Sequence, residues 1–201
     1  GAKIYDSGAT PGSLVLNSSG TITTVLGTRF YVENSPALDD LEISARIADT
    51  TGTRLTKDQV TNTTYIHSRM LLSGNNTFTG AVTVNAGELA IGHANALGNA
   101  ATGTVVNSGH ALLMYGGASG LTVASEPLTI AGQGLILNES GALRSVGGNN
   151  AWNGPITLGS SARVGVDADT LSLGGVLSGT GGLVKTLSGT VEITGPSSNT
   201  A

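Results

Sequence analysis

Residues 72 to 80 read Leu-Ser-Gly-Asn-Asn-Thr-Phe-Thr-Gly, and residues 81 to 91 continue Ala-Val-Thr-Val-Asn-Ala-Gly-Glu-Leu-Ala-Ile. Val82 and Val84, then Leu89 and Ile91, fall on alternate positions, so each run can turn its apolar side one way while Thr83 and Ala90 face the other. The unit is a short strand, a tight corner and another short strand. Gly74, Asn75, Asn76, Gly80, Asn85 and Gly87 fill the corners, and these residue types tolerate the left-handed backbone of sharp bends.

Composition extends that unit to the whole chain. Glycine is 31 of 201 residues, aromatic residues are 3% and hydrophobic residues 39%, mostly Val, Leu, Ile and Ala, which suits a narrow core of thin layers. Charged residues are 11%, about half the usual share, so Ser, Thr, Asn and Gly must make the surface. The net charge of -4 with nine scattered Lys and Arg leaves no basic stripe for phosphates, and nucleic acid and anionic membrane are not expected partners. No apolar run reaches the length of a membrane helix, and Gly-Ala-Lys-Ile-Tyr at the start lacks a signal-peptide layout, so the chain reads as a processed or excised piece. The absence of cysteine removes disulfides, thiolate catalysis and thiolate metal sites.

Residues 12 to 25 and 133 to 146 match at a constant offset, with Leu14, Leu16, Asn17, Gly20 and Ile22 opposite Leu135, Leu137, Asn138, Gly141 and Leu143. At a slightly larger offset Leu41, Ile43, Ile47, Leu55 and Lys57 fall opposite Leu171, Leu173, Leu177, Leu183 and Lys185, and Ser73–Thr77 pairs with Thr194–Thr200. This is an internal repeat of about 120 to 130 residues. Runs such as 104–106, 111–114, 121–123 and 128–130 are short and closely spaced. Frequent short strands suit a sandwich or a solenoid, and the repeat selects the solenoid. At three strands per rung, about nine rungs spaced by about 4.8 Å would make a rod about 40 Å long.

Helix content should be near zero. Ala37 to Ala48 carries period-two apolar residues and predicts a strand, whereas Ala94 to Ala101 predicts one loose helical turn. Residues 58 to 70 read as an irregular excursion that holds His67 and Arg69.

Residues 181 to 195, Gly-Gly-Leu-Val-Lys-Thr-Leu-Ser-Gly-Thr-Val-Glu-Ile-Thr-Gly, and residues 72 to 84 resemble the two halves of the autotransporter-associated β-strand repeat. Residues 141 to 158, with Trp152, are similar to the linking coils of the same proteins. The resemblance covers residue 71 onward and is weaker before it. It implies a right-handed parallel β-helix from the passenger region of a large bacterial secreted or surface protein. Leu187 departs from the pattern, standing where a second glycine is usual, and residues 58 to 70 replace a short turn; both imply altered corners.

The chemistry-bearing residues are few. Asp39-Asp40 and Asp167-x-Asp169 are the close acidic pairs; the first would diverge on a strand, the second would face one way if extended. A glycosidase needs two carboxyls straddling a bond among sugar-stacking rings, but Tyr5, Tyr31, Tyr65, Tyr115 and Trp152 are scattered, so capping of corners is the expected role of these acids. His67, His93 and His110 lack metal-pair spacing, and Gly116-Gly117 and Gly181-Gly182 lack the Lys-Ser/Thr of a phosphate loop. Asn17, Asn62, Asn75 and Asn138 open sequons at the frequency such a composition produces by chance, and Trp152 and Phe78 are expected to pack rather than to bind sugar.

The sequence therefore predicts an all-β right-handed parallel β-helix, one solenoid segment over residues 1–201, with Val84, Ile91, Leu137, Leu158, Val166, Leu173 and Ile193 inward. It predicts a structural segment of a bacterial extracellular or cell-surface protein: an autotransporter-like passenger, stalk or adhesin with no enzymatic activity. Alternatives are a subunit of a head-to-tail extracellular filament and a polysaccharide-processing β-helix enzyme. No catalytic, cofactor-binding or metal residue is expected. Ala2, Ile4 and Tyr5 at one end and the interrupted motif Ser197–Ala201 at the other lack polar caps, which predicts stacking on further β-helical coils or identical copies, with host or matrix surface glycans as further contacts.

Overall fold

Alternation at period two, interrupted every few residues by Gly, Asn or Pro, forces the chain to turn before any strand grows long. The computed structural model describes residues 14–16, 21–24, 29–31, 41–49, 54–58, 68–99, 101–135 and 140–199, with backbone alone for the strands before residue 41. The first turn comprises β1 (Leu14–Leu16), β2 (Thr21–Thr24) and β3 (Arg29–Tyr31), the second β4 (Leu41–Ile43), β5 (Arg46–Asp49) and β6 (Leu55–Asp58). The third and fourth carry two strands each, β7 (Arg69–Leu72) with β8 (Val82–Val84) and β9 (Glu88–Ile91) with β10 (Thr104–Val106). The fifth holds β11 (Ala111–Tyr115), β12 (Thr122–Val123) and β13 (Leu128–Gly132). The sixth holds β14 (Leu143–Gly147), β15 (Asn150–Trp152) and the first half of β16 (Ile156–Val166). The second half of β16 opens the seventh, followed by β17 (Thr170–Leu173) and β18 (Leu177–Gly179). The eighth is β19 (Leu183–Thr186), β20 (Thr190–Ile193) and β21 (Ser197–Asn199).

Every strand pair among the described residues is parallel, and each strand pairs with its counterpart one turn away. Three faces result. The first runs β1, β4, β7, β9, β11, β14, β16, β19; the second β3, β6, β8, β10, β13, β16, β18, β21; the third is β2 with β5, and β12, β15, β17, β20. Strand β16 bends from the second face into the first, which joins those two faces into one continuous sheet. This is a parallel β-solenoid. Among the described residues the helical content is a single 3-10 turn, Gly117–Ser119.

Register converts alternation into columns. Leu55, Val82, Thr104, Leu128, Ile156 and Leu177 stack on the inner side of the second face, and Leu41, Met70, Leu89, Leu112, Leu143 and Val164 on the first. Except for the polar Thr104, these side chains belong to one core cluster running from Leu41 to Leu177, each aliphatic contributing about 1.5–3 kcal/mol relative to exposure. Val84, Ile91, Leu158, Val166 and Leu173 are buried as the alternation predicts. Ile193 is not: it sits in register over Leu173 but is 48% exposed, because it belongs to the last described turn. Leu137 lies outside the described residues.

Two other expectations change in detail. Ala90 does face away from the main core, yet it is fully buried with Ala111 and Leu113 in a second apolar cluster, against Leu71, Tyr115 and Val146. The long repeat is also out of phase with the turns. Ile22 lies on the third face and its counterpart Leu143 on the first; β4, β5 and β6 match β17, β18 and β19, each on a different face from its counterpart. A strand and a corner look alike in sequence whichever face they occupy, so the repeat measures strands and not turns.

The corners follow local chemistry. Residues 94–97 form a turn closed by Ala96 N–H on the His93 carbonyl and Gly98 N–H on the Asn95 carbonyl, shorter than the stretch 94 to 101 suggested. Gly87 has φ 62°, and a Cβ there would stand 2.2 Å from the Ser68 carbonyl oxygen, so both conformation and space demand glycine. Leu187 adopts φ 67° without being glycine, the altered corner expected where the pattern lost its second glycine. Asp58 ends β6, and Ser68 leads into β7, so these ends of the expected excursion belong to regular turns; residues 59–67 lie outside the described residues.

Candidate functional site

A thin core leaves corner backbone groups half-wrapped, and polar side chains turn inward to satisfy them. Asn76 Oδ1 accepts from Ile47 N–H at 2.8 Å and its Nδ2 donates to the Ala96 carbonyl at 2.6 Å, tying three turns together. Asn150 does the same one region on: Oδ1 accepts from Leu121 N–H at 2.7 Å, and Nδ2 donates to Ser145 Oγ at 2.7 Å and the Gly147 carbonyl at 3.0 Å. Outside, Asn95 donates to Asn75 at 3.0 Å and Asn107 to Asn85 at 2.7 Å, short asparagine ladders between turns. Asn75, the described sequon position, is therefore a ladder member; Asn17, Asn62 and Asn138 lie outside the described residues.

Lys57 is fully buried although its alternate neighbour Leu55 is the expected core type. Its Nζ donates to Ser68 Oγ at 2.8 Å, the Ala86 carbonyl at 2.9 Å and the Asp58 carbonyl at 3.3 Å. All three protons are spoken for, so Lys57 clamps the end of β6 to Ser68 before β7 and to the corner after β8, and is not a base for Ser68. Lys185, its counterpart in the repeat, likewise donates to a corner carbonyl, that of Leu187.

The acidic pairs separate. Asp39-Asp40 lies outside the described residues. Asp167 accepts a two-pronged pair from Arg144, Nε to Oδ1 and Nη2 to Oδ2, each at 2.8 Å, while Asp169 turns left-handed at φ 61° and accepts from Gly148 N–H at 2.9 Å. They stand in a corner and have different partners. Glu88 accepts from Arg69 Nε at 2.7 Å on Oε2, leaves buried Oε1 without a partner, and Arg69 lies 5.8 Å from the Tyr115 ring centroid. His93 Nδ1 accepts from Asn95 N–H at 3.0 Å, His110 has its proton affinity lowered by burial and then by Lys57, and His67 is outside the described residues. Trp152 is fully buried with Nε1 donating to the Glu126 carbonyl at 3.0 Å, and Phe78 is buried too, the packing role expected of both. No cluster of three or more His, Asp or Glu with metal-holding geometry occurs among the described residues.

One concave site does combine polar groups. Residues 94–99 bend through their turn where a third-face strand would stand, and β12 ends its sheet on that side. The gap is a notch of about 280 Å³ lined by 94–95, 97–99 and 123–126. Glu126 is 5% exposed and lines it; Thr104 Oγ1 donates to Oε1 at 2.8 Å. Burial pushes the carboxyl up to about 7, against the smaller opposing pull of the Thr104 hydrogen bond. Sequence reasoning passed over Glu126, although its phase with Leu128 and Ile130 places it on the inward side.

Comparison with known proteins then bears on the fold. Residues 69–91 match the family model PATR, the passenger-associated-transport-repeat. The match covers β7 through β9 and includes residues 72 to 84, one of the two stretches whose sequence carries the resemblance. It associates this segment with the parallel β-structure of autotransporter passengers and, through that family, with secretion to the cell surface or outside. No curated protein and no solved structure matches the chain.

Proposed function

We propose that this chain is a structural, non-enzymatic β-solenoid segment of a bacterial extracellular or cell-surface protein, serving as a passenger stalk or adhesin shaft. The observation that carries the reading is the parallel pairing of every described strand with its counterpart one turn away, around a core of mostly aliphatic side chains from Leu41 to Leu177. Such a stack gains its stability turn by turn from nearest neighbours, as solenoid rods do. Asp167 and Asp169, the close acidic pair, are held by Arg144 and by the Gly148 N–H in a corner, which supports a scaffold over a polysaccharide-cleaving groove. Incubation with neutral and acidic polysaccharides should release no new reducing ends; release that Asp167→Asn abolished while the fold persisted would overturn the structural reading.

The last turn favours a second element of the same reading, stacking on another β-helical surface. Leu187 is 41% and Ile193 48% exposed, and β19 to β21 have an unpaired edge beyond residue 183. Such edges invite a further turn or a neighbouring copy. Light scattering should detect association of the isolated chain that Ile193→Lys weakens. A strictly monomeric species at high concentration, with slow amide exchange in β20, would contradict it.

A further inference from the structure

We propose that the notch between the 94–97 turn and the loop after β12 binds a single pyranose ring of a neutral glycan. This goes beyond the scaffold role and does not depend on it. The volume, about 280 Å³, sits at the small end of ligand pockets, which start at roughly 300 Å³, and so admits one ring and not a long chain. Its chemistry is mixed in the way a sugar requires. Leu97 and Val123, both buried, supply aliphatic surface for the C–H face of a ring. Asn99 and Ser125 are exposed at the rim, where a carboxamide and a hydroxyl can each donate and accept.

Backbone adds to this set. Leu121 and Val123 accept from Ala151 and Asn153 of the next turn, so in a parallel ladder the N–H and C=O of the intervening Thr122 and of Ala124 point the other way, and of these two residues Ala124 lines the notch. With no strand beside β12 on that side, those groups need an outside partner, water or ligand. Glu126 completes the wall: Thr104 holds one carboxyl oxygen, and the other is available to a hydroxyl. No Lys or Arg lines the notch, which argues against an anionic sugar, and a single carboxyl is too few for a metal ion. Beyond β12 the third face continues as β15, β17 and β20, whereas the third and fourth turns place no strand there, so the notch opens on one side of β12 only.

The test is a nitrogen-15 NMR titration of the whole chain with the methyl glycosides of glucose, galactose and N-acetylglucosamine. At least one should shift the amides of Asn95–Asn99 and Ala124–Glu126 in a saturable way at millimolar concentration. Asn99→Ala should weaken that glycoside about fivefold, the loss of one neutral hydrogen bond. Asn107→Ala, on an exposed ladder outside the notch, should leave binding unchanged and controls for nonspecific effects. Unshifted notch amides with all three sugars, shifts centred elsewhere, or equal affinity in the Asn99→Ala protein would each overturn the assignment. Failure here would leave association through the last turn untouched, since light scattering reads that separately.

Discussion

Glu126 shows how a single side chain sets a pH dependence in a chain with few charges. Its folded carboxyl holds its proton up to about 7, whereas the unfolded one releases it near the ordinary 4.5. The folded state therefore binds the extra proton between those values, so stability falls as pH rises from about 4.5 to about 7 and is level above. The full effect is on the order of 3 kcal/mol. His110 works in the opposite sense, since its lowered folded value makes stability fall as pH drops below 6.5. Urea titrations of the wild type and Glu126→Gln across this range isolate the carboxyl: their difference should change steadily between pH 5 and 7, and parallel curves would refute the assignment. Leu187 offers a second residue-scale test. A non-glycine residue in the left-handed region costs roughly 1–2 kcal/mol, and Leu187→Gly should raise stability by about 1 kcal/mol despite the lost side chain. An unchanged or lowered urea midpoint would mean that the Leu187 side chain contributes more at the open end than its conformation costs.

Elements in this chain are too short to stand alone, and interior amides decide whether they stay in register. Asn150 serves Leu121 N–H, Ser145 and Gly147 at once, so Asn150→Ala strands a buried donor and should destabilise by roughly 2–3 kcal/mol. Asn107→Ala removes an exposed ladder bond and should change stability by less than about 0.5 kcal/mol. Equal losses would show that inner and outer asparagines are equivalent, contrary to their burial. Strand identity was legible at this scale because alternation marks Val82, Val84, Leu89 and Ile91 directly. The roles of Asn76, Asn150 and Lys57 were not, because nothing in a local pattern says whether a polar residue at a corner turns in or out. The notch was invisible for a similar reason: its two walls are more than 20 residues apart and meet only because the fourth turn has a bend, and no strand, beside β12.

At the scale of the molecule the parallel stack was legible and its phase was not. Short strands, glycine corners and the long repeat all point to a solenoid, yet the repeat pairs strands lying on different faces, since three similar sides share one sequence pattern. Asp167 and Asp169 would face one way only on an extended strand; a left-handed Asp169 puts the two in a corner, where capping is the role expected of them. The central claim is that each circuit of the chain advances one strand spacing along a common axis. Thr56, Thr83, Val105, Thr129, Thr157 and Ser178 form one column on the second face, one residue per turn. The chain has no cysteine, so paired spin labels are introduced without background. With one label at Ser178→Cys, the second moved from Thr129→Cys to Val105→Cys, Thr83→Cys and Thr56→Cys should lengthen the electron-spin distance by about 4.8 Å each time, reaching about 24 Å between backbones at Thr56. Distances that fail to increase in that order, or that shorten as turns are added, would contradict a parallel solenoid.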